Sequence, residues 1–222
     1  MPVKQAVLAH HFQNLEQQHE AATLGMWVFL ATELLVFGAL FTGYTVYRSQ
    51  SPREFEEASA RLNVLIGGVN TIVLLTSSLT MALAVHAARI GKQRGLVVCL
   101  AMTAALGALF MLLKAVEYYE DYHQKLVPVL AFQPGDWSGH GVSPERVQLF
   151  LLFYYIMTGL HALHLVIGIG VLIGLAVLAR RGRFSPGYYS PVEVAGLYWH
   201  FVDIIWIFLL PLLYLIGTRT HV

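Results

Sequence analysis

Charge is what this chain has least of. Asp, Glu, Lys and Arg make up 12% of its 222 residues, against the roughly 25% ordinary for a soluble domain. With 14 Lys and Arg against 13 Asp and Glu, the formal net charge is +1, so there is neither the basic excess that holds nucleic acid nor an acidic tail for a cationic ligand. Cysteine occurs once, at Cys99, which excludes an internal disulfide and a multi-cysteine zinc or iron–sulfur centre within one chain. Cys99 reads as a small apolar residue on a helix. The first residues, MPVKQAVLAHHFQNLEQQHE, offer only Lys4 as a clear cation and no apolar core before a small-residue cleavage site. They do not read as a signal peptide. Internal repeats, low-complexity runs and the two-residue alternation of barrel strands are also missing.

What is present is apolar: 57% of the residues are hydrophobic. Segments of about 20 apolar residues fall at Leu24–Tyr47, Leu65–Ala88, Gly95–Tyr118, Val147–Ala179 and Val194–Gly217. Helices and closed barrels are the only ways to span a bilayer, since hydrocarbon satisfies no backbone group. The fold class expected is therefore an all-α polytopic membrane protein, a bundle of five transmembrane helices within one domain over residues 24–217. A polar N-terminal tail over 1–23 and a short tail over 218–222 complete it. Two short loops hold cations without acids, Arg89, Lys92 and Arg94 in one and Arg180, Arg181 and Arg183 in the other, whereas Arg48, Arg53 and Arg61 share theirs with Glu54, Glu56 and Glu57. The positive-inside rule puts the pure loops and the N-terminus in the cytoplasm, and the C-terminus outside. The long polar segment from Glu120 to Arg146 is then a periplasmic cap or docking loop.

Polar residues inside the spans are the candidates for function. A charge at the bilayer centre costs roughly 2.5–3.5 kcal/mol on insertion scales. Glu33, midway along the first span, is a candidate proton-relay member or a lipid- or helix-anchoring group. The second span, with Asn70, Thr71, Thr76, Ser77, Ser78 and Thr80, reads as a packing helix whose hydroxyls bond across close contacts. In the third, Lys114 and Glu117 lie three apart and can pair; followed by Tyr118, Tyr119, Glu120, Asp121, Tyr122 and His123, they read as a solvated helix end with an aromatic belt. His161 and His164 share a face of the fourth. That spacing suits zinc, copper or haem, but no third ligand is near, which favours interhelical bonding or lipid contact. Gly168, Gly170 and Gly174 thin the same helix. In the fifth, Trp199, His200, Asp203 and Trp206 fall within an arc of about 120°, with Glu193 at the helix entrance, all addressing one neighbour. No nucleophile or oxyanion donors accompany the pair of His200 and Asp203, so hydrolysis is not expected.

Taken in order, GMWVFLATELLVFGALF, LNVLIGGVNTIVLLTSS, KAVEYYE, TGLHALHLVIG and EVAGLYWHFVDIIWIFLLPLLY resemble subunit III of the haem–copper terminal oxidases, over about Leu24 to Gly217. The last motif is highly specific. The resemblance implies a subunit of an oxygen-reducing enzyme, cytochrome-c oxidase, that has no catalytic, metal or cofactor-binding residue of its own, with haem and copper in partner subunits I and II. It implies stabilisation of subunit I, support of proton uptake, bound phospholipid, a place in the bacterial cytoplasmic membrane and membership of a larger respiratory assembly. On this resemblance Glu33 is the family's intramembrane glutamate, Arg180, Arg181 and Arg183 lie where lipid phosphates bind, and His161, His164, Glu193, Trp199, His200 and Asp203 occupy subunit- or lipid-facing signature positions. The chain departs from seven-helix members in lacking their first two helices, which form one arm of a lipid-filled cleft; it is similar to five-helix bacterial forms. A quinol oxidase subunit or the accessory protein of a nitric oxide reductase are the alternatives. A proton-coupled transporter using Glu33 and Asp203 is disfavoured by the lack of repeats.

Overall fold

The computed structural model describes residues 12, 14–128, 132–137 and 141–217. Within them all regular structure is helical: α1 (Leu15–Gln50), α2 (Pro52–Ala60), α3 (Val64–Arg89), α4 (Gln93–His123), α5 (Pro144–Arg180) and α6 (Ser190–Leu213), with one 3-10 turn at Pro134–Asp136. Five of the helices are long and apolar enough to cross a membrane. The residues expected in the tails at 1–11, 13 and 218–222 lie outside the described residues.

The helix ends follow local chemistry. The Asn14 Oδ1 accepts from the Gln17 backbone N–H at 2.7 Å, and the Asn63 Oδ1 from that of Ile66 at 3.2 Å, satisfying N–H groups that a helix start leaves orphaned. Pro52 and Pro144 open α2 and α5, where a missing N–H costs nothing. Gly91 and Gly182 follow α3 and α5 with φ of 73° and 68°, a left-handed conformation in which a Cβ would be strained. Polar residues 15–23, read as tail, continue α1 toward the N-terminus. At the other end, α6 stops at Leu213 rather than Gly217.

The short α2 was not expected; its charge pattern read as a mixed loop. It is amphipathic, burying Phe55, Ala58 and Ser59. Ser59 Oγ donates to the Leu213 carbonyl at 2.7 Å and accepts from the Gly217 N–H at 3.2 Å. Tyr44 OH donates to the Leu212 carbonyl at 2.6 Å. Carbonyls left open where α6 ends are thus satisfied by side chains.

The chain divides into two compact units. One comprises the chain up to Leu34 with Leu74–Ala108 and His164–Asp203; its core includes Leu74, Met81, Leu96, Leu100, Leu165 and Trp199. The other comprises Leu35–Val73, Leu109–Leu163 and the chain from Ile204. Its core is aromatic, with Phe37, Tyr44, Phe55, Phe110, Phe150, Tyr154, Trp206 and Tyr214 all at most 1% exposed. In this unit Trp137, from the long polar segment, is also buried, under the Arg61 guanidinium 5.0 Å from its ring centroid. Burial is uneven among the helices: 11% of the apolar window of α1 is enclosed and 50% of that of α6. The polar residues of α6 consequently have protein neighbours.

Candidate functional sites within the membrane-spanning helices

Glu33 on α1 is brought to His164 on α5, Oε2 to Nε2 at 3.0 Å. The pair is mostly enclosed, with side-chain exposures of 18% and 10%. Tyr198 of α6 donates its hydroxyl to the His164 carbonyl at 2.8 Å and packs its ring on Phe29, centroids 6.1 Å apart. An intramembrane acid and an imidazole so placed satisfy each other's hydrogen-bonding capacity in low dielectric.

The α6 face addresses more than the one neighbour its arc suggests: its polar atoms meet α3, while the rings of Trp199 and Trp206 also pack on Gly107 and Phe110 of α4 and on Gly168 and His161 of α5. Glu193 pairs with Arg89, which also lies 5.7 Å from the Tyr189 ring. Trp199 Nε1 donates to Ser77 Oγ at 3.1 Å, and His200 Nδ1 lies 2.7 Å from Ser78 Oγ. Ser78 also neighbours Asp203. Farther along the same helices, Trp206 Nε1 donates to Thr71 Oγ1 at 3.0 Å. Thr71, Ser77 and Ser78 therefore act as the hydroxyls of a packing helix, facing an indole or an imidazole, and Thr80 Oγ1 lies 2.8 Å from Thr103 Oγ1 of α4. Trp199 and Asp203, expected at a subunit or lipid interface, are 1% and 3% exposed, because their partners are on α3. His161 is likewise enclosed, between the rings of Phe110 and Trp206 at 5.5 and 5.2 Å.

Gly168 serves close packing: a Cβ there would stand 3.0 Å from Trp199 Cζ3, and one on Gly107 of α4 would stand 2.7 Å from Trp199 Cη2. The indole occupies the notch between them. Gly170 and Gly174 have nothing within 4 Å of such a Cβ, so they do not share that role.

Arg180, Arg181 and Arg183 stand exposed at the end of α5. Arg180 and Arg94 line a groove of about 390 Å³ walled by Val97, Val98 and Ala179. Cations above an apolar wall suit an anionic lipid headgroup and its first methylenes.

Sequence reasoning missed the most elaborate site. Lys114, Glu117 and Asp121 are not a solvated helix end but 3%, 1% and 4% exposed. Lys114 Nζ donates to Glu117 Oε2 at 3.0 Å, Tyr154 OH at 3.1 Å and Tyr214 OH at 2.9 Å. Glu117 Oε1 accepts from Tyr214 at 2.6 Å and Tyr154 at 3.1 Å. Asp121 Oδ2 accepts from Tyr155 at 3.3 Å and is the alternative acceptor, also at 3.3 Å, for the single hydroxyl proton of Tyr154. Every ammonium donor is used, and the rings of Tyr118, Tyr154, Trp206 and Tyr214 surround Nζ at 5.0–5.6 Å. A signal was available. Buried positions recur along α4 at 96, 100, 103, 107, 110, 114, 117 and 121, the three–four spacing of one helical face, so the charges continue the core stripe. Tyr119 and Tyr122, off that stripe, are exposed.

The helices and these sites define a multi-pass, all-helical membrane protein whose intramembrane polar groups are engaged largely with one another. The chain belongs to the cytochrome c oxidase subunit III family, whose model matches residues 4–124 and 147–218. It is 36% identical over 197 residues to cytochrome c oxidase subunit 3 of a Synechocystis species, covering 86% of this chain and 74% of that protein. The protein of that name from Thermostichus vulcanus is 32% identical over 194 residues, 87% of this chain and 86% of its own. Quinol oxidase subunit 3 of Bacillus subtilis is 29% identical over 219 residues, 94% and 96% of the two chains.

Proposed function

We propose that the chain is the non-redox accessory subunit III of a haem–copper oxygen reductase of the cytochrome c oxidase type, in a bacterial cytoplasmic membrane with its N-terminus inside. Its partners are subunits I and II, which hold the haem and copper, and membrane lipid; a larger respiratory assembly is a further expected partner. Its work is to stabilise subunit I and to support proton uptake and lipid binding there. The observation that carries this reading is the family match on both sides of the long polar segment, over the helices whose polar groups are described above. Glu33 with His164 supplies an acid–imidazole pair for a proton or lipid role. Arg180, Arg181 and Arg183 supply lipid phosphate contacts, and Glu193 and His200 an accessible polar edge for a partner.

A quinol oxidase is the second reading, favoured by the Bacillus relative that aligns over nearly its whole length. Native purification in mild detergent tests both. The expected result is co-elution with larger chains whose spectrum shows haem, together with oxygen consumption driven by reduced cytochrome c; consumption driven only by quinol selects the second reading. Stoichiometric haem or copper on this chain alone, or co-elution with a haem and non-haem-iron nitric oxide reductase, overturns the proposal.

A further inference from the structure

Asp203 is 3% exposed, and neither of its carboxyl oxygens closes a protein hydrogen bond of normal geometry. The Ser78 hydroxyl stands beside this carboxyl but is turned to His200 Nδ1 at 2.7 Å. His200 is half-buried, and its ring lines a groove of about 260 Å³ with Ala82, Val85, His86, Arg89 and Glu193. One rotatable hydroxyl thus stands between an enclosed carboxyl and an imidazole that reaches a groove. Among the described residues, the other titratable groups along this path are Arg89 and Glu193, which pair with each other, His19 of α1, whose Nε2 lies 3.7 Å from Glu193 Oε2, and the exposed His86.

We propose that His200, Ser78 and Asp203 form a proton-exchange relay in which Asp203 stores a proton drawn from the groove. An ionised carboxylate enclosed without donors is costly, and the protonated acid removes that cost. In a charging step a hydronium in the groove gives a proton to His200 Nε2 and is left as water, Nδ1–H gives its proton to Ser78 Oγ, and the Ser78 hydroxyl proton passes to the Asp203 carboxylate. One proton moves inward, the imidazole is left neutral with its proton on Nε2, and the reverse passage discharges the store. The three residue types resemble a nucleophilic triad only in name. Asp203 neighbours the serine rather than orienting the imidazole, and Ser78 lies inside α3, where the backbone N–H groups that could form an oxyanion hole are committed to the helix.

The proposal deepens the proton-supporting part of the proposed function, and its test reads this chain's own carboxyl, so the two can fail separately. Infrared difference spectra of the purified complex in phospholipid vesicles, on exchange from H2O to D2O, should show a protonated-carboxyl band that shifts on deuteration and is absent in Asp203→Asn. Asp203→Glu, which keeps a carboxyl if the asparagine variant fails to assemble, should displace the band without abolishing it. Ser78→Ala and His200→Phe should each slow the deuterium shift severalfold, and Ser78→Thr should restore it. No band attributable to Asp203, or exchange at the unmodified rate in either Ser78→Ala or His200→Phe, overturns the relay.

Discussion

Lys114 illustrates how a membrane protein holds a full charge away from water. Its ammonium directs its donors to Glu117, Tyr154 and Tyr214, so no proton of the group is left over. Such a buried cluster is weak evidence of added stability, because desolvating ions offsets most of their attraction, yet removing one member leaves an uncompensated charge and costs about 3–5 kcal/mol. Lys114→Met should therefore lower the thermal unfolding midpoint of the purified protein sharply, through the acids it strands. Adding Glu117→Leu should recover part of the loss. Equal destabilisation by the single and double changes would mean that the methylene stem of Lys114, not its charge, matters. Tyr214→Phe should cost less, about 1.5–3 kcal/mol, the usual worth of hydrogen bonds to charged groups.

Helix α6 is held mainly by shape and by single hydroxyls. Trp199 fills the notch made by Gly107 and Gly168, with its indole N–H on Ser77. A rigid ring cannot yield to a new methyl, and overpacking of this kind costs typically 1–3 kcal/mol. Gly107→Ala, the tighter of the two, should destabilise more than Gly168→Ala, while Gly170→Ala should be neutral or gain up to about 1 kcal/mol of helix propensity. Unfolding measured across the cycle with Trp199→Phe should show positive coupling for Gly107 and none for Gly170. Additive losses throughout would remove the notch from the account. The sequence marked Gly168, Gly170 and Gly174 alike, because spacing reports which residues are small but not which face receives a bulky partner. For the same reason a three-residue acid–base spacing near a helix end looked solvated at Lys114 and Glu117. Only the register carried down from Leu96, Leu100 and Thr103 distinguishes the buried face from the wet one.

At the scale of the molecule, hydropathy made the five long helices legible, since hydrocarbon leaves so few alternatives, and the specific last motif made the family legible. The short α2 escaped because nine residues rich in charge give no hydropathy signal, and its burial rests on two or three side chains. The direction of the chain across the bilayer rests on loop charge alone, on Arg89, Lys92 and Arg94 together with Arg180, Arg181 and Arg183, and it is open to a direct test. Cys99 is the chain's one cysteine, so Cys99→Ser gives a background free of thiols. In that background a cysteine placed by Arg183→Cys, at an exposed position between α5 and α6, should react with a membrane-impermeant maleimide only after the cells are opened. One placed by Gln124→Cys, exposed just beyond α4, should react in intact cells. Two loops on opposite ends of α5 must label from opposite sides if that helix spans, so the pattern also checks the span itself. The reversed pattern would invert the topology and move the groove of Arg94 and Arg180 to the outer leaflet, where the attraction of anionic cytoplasmic lipids for paired arginines no longer applies.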